Sequence, residues 1–202
     1  MRPAARVTIA QAQGARSYQE DRAEQGRHAS GGGVLVLADG MGGHRNGAEA
    51  AEAAVRAVLH TLSGRSIPTT QSADVALRDA VSAACAAVEI DAPSGGCTLI
   101  VAVALDETVE IIHVGDSQVW HDGVLVTVPH HVYGRYLTSH IPMLERVDRH
   151  TLPRRGRIVI ASDGVERPAS GDAQAVIDAQ LALGAAHQDN ATAIVVDFEA
   201  AP

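Results

Sequence analysis

The chain has 202 residues, a mean hydropathy of +0.03 and a net charge of −8, with 24 acidic residues against 16 basic ones. Every basic residue is an arginine, which excludes chemistry that needs a lysine ammonium: Walker-type phosphate binding, the kinase strand lysine and Schiff-base catalysis. There is no 18-residue apolar run for a membrane span and no basic stripe for nucleic acid.

In chain order, "RVTIAQAQG" alternates as a strand and runs into a polar loop, "ARSYQEDRAEQG". A second strand, "VLVLAD", follows the glycines at 31–33. Residues 46–63 have helical spacing, with Asn46 as the cap and Val55, Val58, Leu59 and Leu62 on one face. After the linker "GRSIPTTQ", a second helix, "SADVALRDAVSAACAAVEI", stacks Leu77, Val81, Ala84 and Val88, and the two helices should pair antiparallel. The pattern then turns to β: "CTLIVAVAL", "TVEIIHVGD", "QVWHDG" and "VLVTVP", parted by turn signals at Asp106-Glu107 and Asp122-Gly123. Residues 129–155 have weak periodicity; "RIVIASDG", a short helix near 172–183 and the strand "NATAIVVDFE" close the chain. Hairpin-like strands parted by a helix pair predict an α+β fold with antiparallel sheets in a single domain. With aromatic residues at 2%, its core must be built from Ala and Val between close layers. The N-terminus has no signal-peptide pattern, so a cytoplasmic protein is expected, with Cys85 and Cys97 acting as buried small hydrophobes.

The acids follow one grammar. Asp39-Gly40 ends "VLVLA", Asp116 sits in "IIHVGDS", Asp163-Gly164 ends "RIVIAS", and Asp189 precedes the last strand. Taken singly, Asp-Gly after a strand is a turn signal. Repeated, and joined by Glu20-Asp21 in the first loop, these acids could converge at one end of the sheets. Carboxylates gathered beside apolar strands repel one another and are costly to bury. Hard divalent cations relieve both effects, and a pair of them can clamp a phosphoryl group.

"ARSYQEDRAE", "VLVLADGMGGHRNGAEAA", "GCTLIVAVAL", "IIHVGDSQVWHDGVL", "RIVIASDGVE" and "QDNATAIVV" occur in the order found in the metal-dependent Ser/Thr protein phosphatases of the type 2C (PPM) family. The chain resembles its bacterial members, from about Val7 to Phe198. The resemblance implies a four-layer α-β-β-α sandwich, two antiparallel sheets flanked by helix pairs, with a two-ion Mn²⁺ or Mg²⁺ site at one end. Asp39 matches the aspartate shared by both ions, and Gly40 supplies a carbonyl ligand. Asp163 and Asp189 match carboxylates on the other ion, and Glu20 and Asp21 match the acidic pair of the first loop. Asp116 matches a third-ion ligand. Arg16 falls where the family places its phosphate-binding arginine, and bidentate phosphate recognition suits a guanidinium; a surface ion pair with Glu20 is the alternative for it. The implied activity is hydrolysis of phosphoserine and phosphothreonine in proteins by a metal-activated water. The enzyme would be a monomer, and its partner would be a Ser/Thr kinase or that kinase's targets.

Several positions depart from the family. Met41 replaces a histidine of eukaryotic relatives, as it does in bacterial members, and His44 is a weak substitute acid. The remaining histidines lack zinc-site spacing in sequence. Arg167 stands where many members carry an aspartate, which disfavours a third ion. Cys97 replaces a usual Thr or Ser, a packing change, and the segment at about 129–150 is a reduced flap. Arg167 and the short flap keep two rival readings open: a catalytically weak binding or regulatory module, and a phosphoesterase for small molecules.

Overall fold

A computed structural model describes residues 5–41, 46–132, 136–184 and 188–199. Two five-stranded antiparallel sheets pack face to face. The first has the order β1-β12-β11-β6-β7, with β1 Ala5–Ala12, β6 Gln118–His121, β7 Val124–Leu125, β11 Arg157–Ala161 and β12 Ala191–Phe198. The second has the order β10-β5-β4-β3-β2, with β2 Asp21–Arg27, β3 Gly33–Asp39, β4 Leu99–Ala104, β5 Thr108–Val114 and β10 Asp148–Pro153. A separate hairpin joins β8 His131–Val132 to β9 Tyr136–Leu137.

The side-chain alternation of each strand sorts residues between two cores. On β3, Leu35 and Leu37 point between the sheets, where Ile100, Ile111, Ile158, Ile160 and Ile194 meet them. Val34, Val36 and Ala38 point outward beneath α1 Gly47–Ser63 and α2 Thr70–Asp91. That helix pair lies close because its inner face is built from Ala50, Ala51, Ala54, Ala76, Ala80 and Ala84, all fully buried. On the other outer face, Val159, Ala161, Ala193 and Val195 receive α3 Ala173–Ala182, the flanking helix there among the described residues. The chain therefore has the expected α-β-β-α layering, built largely from Ala and Val.

Several expectations change. The first polar loop contains strand β2, and the weakly periodic segment contains β10. "VLVTVP" forms ladder pairs only at Val124–Leu125. The turn before it is a two-residue hairpin with positive φ at both Asp122 (48°) and Gly123 (79°), the twist that tight hairpins prefer. Asn46 precedes α1 but does not cap it with its side chain. Its backbone is left-handed (φ 71°), and its amide donates instead to the Pro93 carbonyl at 3.3 Å. The reciprocal cap is on α2, where Thr69 and Ser72 exchange backbone and side-chain bonds. Cys97 is fully buried in the helix-side core and burial pushes its thiol pKa up, whereas Cys85 is only half-buried.

Candidate active site

One end of the sandwich collects the ends of β3, β5 and β11 and the starts of β2 and β12. Antiparallel pairing puts Asp21, the first residue of β2, directly opposite Asp39, the last of β3. The chain then bends sharply. The Gly40 N–H donates to the Glu20 carbonyl at 3.1 Å, and a Cβ at Gly40 would lie 2.4 Å from the Gly47 carbonyl oxygen. At Gly164 a Cβ would lie 1.9 Å from the Asn190 carbonyl oxygen. At both Asp-Gly steps the missing side chain is required first by the protein's own backbone.

Around this end lies a cleft of 480 Å³ lined by Arg16, Glu20, Asp39, Gly40, Asp116, Asp163 and Asp189, with Met41, Thr98, Tyr136, Leu137 and Asn190 completing its wall. A larger cavity of 660 Å³ opens between the sheets at the opposite strand ends, but it is lined mainly by aliphatic residues such as Leu35, Val109, Ile158 and Val196. Chemistry belongs to the smaller cleft, where the ionisable groups converge. Of the eight residues expected at the site, seven line this cleft. Asp21 does not: it is 5% exposed and sits beneath the others. His44 lies outside the described residues, and Arg167 is exposed and outside the cleft lining. Arg16 is paired with Asp189 rather than with Glu20.

Hydroxyl and amide groups hold the acids in place. The Asp39 N–H donates to Thr98 Oγ1 at 3.1 Å, and the Thr98 and Ser117 hydroxyls share a hydrogen bond at 2.8 Å, which ties the Asp39 and Asp116 turns together. Ser162 donates to Asp21 Oδ2 at 2.9 Å while accepting the Thr192 N–H at 3.0 Å. Asn190 accepts the Glu20 N–H at 2.7 Å and donates to the carbonyls of Gln13 and Tyr18 at 2.8 and 2.9 Å, which pins the loop carrying Arg16. Sequence reasoning gave these four residues no role. Three of them stand next to a singled-out acid, in "GDS", "SDG" and "QDN", whereas Thr98, in "GCT", has no such neighbour in sequence.

The electrostatics are those of crowded acids. Burial raises the Asp39 carboxyl pKa well above its usual range, and the charges of Asp21, Asp163 and Asp116 add to the effect. Burial lifts Asp21 to about 6 against the lowering effect of its Thr192 and Ser162 bonds. Asp116 also rises to about 6 through burial and the charge of Asp163. Asp163 is open to water on its cleft side, yet the surrounding walls and then Asp189 still raise it. Asp21 Oδ1 is buried with no hydrogen-bond partner among the described residues. A set of hard oxygen donors, mutually repulsive and including one orphaned carboxylate oxygen, fits divalent cations.

Comparison with known proteins gives the same picture. A family model described as "Protein phosphatase 2C" matches residues 13–190. No curated protein sequence matches significantly. A crystal structure of a bacterial serine phosphatase superposes with a TM-score of 0.84 at 18% identity, covering 97% of this chain and 98% of that one. The Staphylococcus aureus serine/threonine phosphatase Stp1 gives 0.82 at 20% identity, covering 96% and 95%. The Mycobacterium tuberculosis serine/threonine phosphatase PstP/Ppp gives 0.74 at 23% identity, covering 97% and 99%.

Proposed function

The chain belongs to the protein phosphatase 2C family, and from that membership we propose that it is a Mn²⁺- or Mg²⁺-dependent phosphatase hydrolysing phosphoserine and phosphothreonine in proteins, opposite a Ser/Thr kinase. The observation that carries this reading is the convergence of Asp39, Asp116, Asp163 and Asp189 on one cleft with Arg16 at its edge. Asp39, the Gly40 carbonyl, Asp163 and Asp189 would hold two ions, with Glu20 lining the cleft beside them and Asp21 beneath, and with Arg167 outside the cleft Asp116 would be a ligand to a further one. Bound divalent ions supply Lewis acidity and positive charge to a phosphoryl group.

The remaining roles fall to the chain itself. Arg16 engages Asp189, and its five N–H donors leave it able to orient a phosphate as well. The lining hydroxyl nearest the acids, on Thr98, is committed to Asp39 and Ser117, so direct hydrolysis without a covalent Thr98 intermediate fits the site. Both sheets contribute acids, so the chain acts as one catalytic unit. The short β8–β9 hairpin puts Tyr136 and Leu137 on the cleft wall, where they would meet the residues flanking a phosphorylated side chain.

The test is hydrolysis of p-nitrophenyl phosphate with Mn²⁺. The expected result is turnover that chelator abolishes and that Asp39→Asn lowers by at least ~100-fold. A folded protein with no turnover at any Mn²⁺ or Mg²⁺ concentration would overturn the reading and leave the weak-module alternative. Faster hydrolysis of a phosphorylated metabolite than of phosphopeptides would move the substrate from proteins to small molecules.

A further inference from the structure

Beside the cleft, a polar chain runs through otherwise apolar packing. His113 of β5 and His130, which immediately precedes β8, are 0% and 1% exposed, with ring centroids 4.6 Å apart. His130 grips Gly115 at two points: the Gly115 N–H donates to His130 Nδ1 at 3.1 Å, and the His130 N–H donates to the Gly115 carbonyl at 2.7 Å. A ring nitrogen that accepts carries no proton, so in the neutral ring the proton is on Nε2. From there it is donated to Asp148 Oδ2 at 3.2 Å. Arg146 clamps the same carboxylate, Nε to Oδ1 at 2.8 Å and Nη2 to Oδ2 at 2.5 Å. Although burial alone would raise the Asp148 pKa, these bonds from Arg146 and His130 hold it below its usual value.

His113, His130 and Asp148 could also be taken for a cation site, since one ligand atom from each lies within 4.8 Å of the others. The tautomer decides against it. Both nitrogens of His130 are in use and Asp148 already carries a guanidinium, so a cation would have to break the Gly115 bond and displace Arg146. His113, whose ring nitrogens have no partner among the described residues, is kept neutral, its pKa lowered to about 3 by burial and the neighbouring His130 and His150.

We propose that His130 is a positioning residue for Asp116: through Nδ1 it fixes the Gly115–Asp116 bend that delivers the Asp116 carboxylate to the cleft. Gly115 needs such an external hold. Its φ of +107° is a glycine conformation, and a Cβ there would lie 2.6 Å from Thr98 Cγ2. Ser117, bonded to Thr98, holds the other side of Asp116. The His130 carbonyl accepts the Thr138 N–H at 2.8 Å, and Ser139 exchanges hydrogen bonds with the Arg146 backbone at 2.6 and 3.0 Å. The chain from Arg146 to Gly115 therefore also anchors the hairpin bearing Tyr136 and Leu137, so one residue sets both the acid and the wall of the cleft.

This inference rests on the metal-dependent phosphatase reading, and its test separates the two. In His130→Asn the side-chain oxygen replaces Nδ1, whereas in His130→Gln it reaches the place of Nε2. Mn²⁺ affinity, measured by titration calorimetry on folded protein, should stay within about 3-fold of wild type in His130→Asn. It should fall about 10-fold in His130→Gln and His130→Leu. Nitrogen-15 shifts of metal-free wild type should show the Nε2–H tautomer. Three variants that bind Mn²⁺ as wild type does, three that lose affinity equally, or an Nδ1–H tautomer would each overturn the inference. Wild type that binds no Mn²⁺ would overturn the phosphatase reading itself.

Discussion

Asn190 shows how far a single residue's role can be hidden from sequence. The acids beside it were legible because each stands at the end of an apolar run, where a carboxylate is out of place unless something uses it. Asn190 carries no such contradiction: next to a strand it reads as a loop amide. Its partners, Gln13, Tyr18 and Glu20, lie 170 or more positions away, so only the paired ends of β1 and β12 bring them together. Its side chain fills one acceptor and two donor roles in a buried setting, 4% exposed. Replacement by alanine strands the Glu20 N–H and two carbonyls and should cost about 1–3 kcal/mol. The loop it pins carries Arg16, so Asn190→Ala should raise KM for p-nitrophenyl phosphate several-fold more than it lowers kcat. Equal changes in both would mean that Asn190 acts on the acids rather than on the phosphate-binding loop.

At the scale of elements, the strands of the two large sheets that sequence patterning missed are β2 and β10, and the one it overextended is β7. All three are edges: β10 and β2 bound one sheet, and β7 bounds the other. A central strand such as β3 or β4 is buried on both faces and reads as a continuous apolar run. An edge strand need bury only alternate residues, as β2 does with Asp21 and Ala23, and polar edges also discourage pairing with other chains. Helix bodies and, to within two residues, their starts were legible from periodicity and composition, but the capping chemistry was not. Asn46 has the composition of a cap, yet its left-handed backbone turns the side chain toward Pro93, while Thr69 forms the reciprocal box with Ser72. Thr69→Ala should therefore lower stability by about 1 kcal/mol, a Tm drop of about 2–4 °C in a domain of this size. Asn46→Gly, which keeps the left-handed backbone without strain, should leave the melting temperature nearly unchanged. A larger loss at Asn46 than at Thr69 would reverse this assignment of the caps.

For the whole molecule, the crowded acids and the buried histidines act on stability in opposite directions. Asp21 is 5% exposed and its pKa rises from 3.8 to about 6 on folding. The folded state therefore holds a proton that the unfolded state has released. That contribution is complete below about pH 4 and is lost as pH rises through about 6; the difference is worth about 3 kcal/mol. His113 does the reverse: its pKa falls from 6.5 to about 3, so its contribution is present above about pH 6.5 and is lost as pH falls toward 3. The two windows overlap, and the wild-type profile alone cannot reveal either. The difference between wild type and Asp21→Asn can, because His113 is common to both. In chelator, Asp21→Asn should become progressively more stable than wild type between pH 4 and 6.5, with the gap approaching about 3 kcal/mol at neutrality. A divalent cation favours the ionised carboxylate and should close that gap from the wild-type side. An ion at 100 times its Kd adds about 2.7 kcal/mol per site, and the variant should gain less. A gap independent of pH would mean that Asp21 is ionised in the metal-free fold. A gap that depends on pH but does not respond to Mn²⁺ would detach Asp21 from the metal site and leave it a buried structural acid.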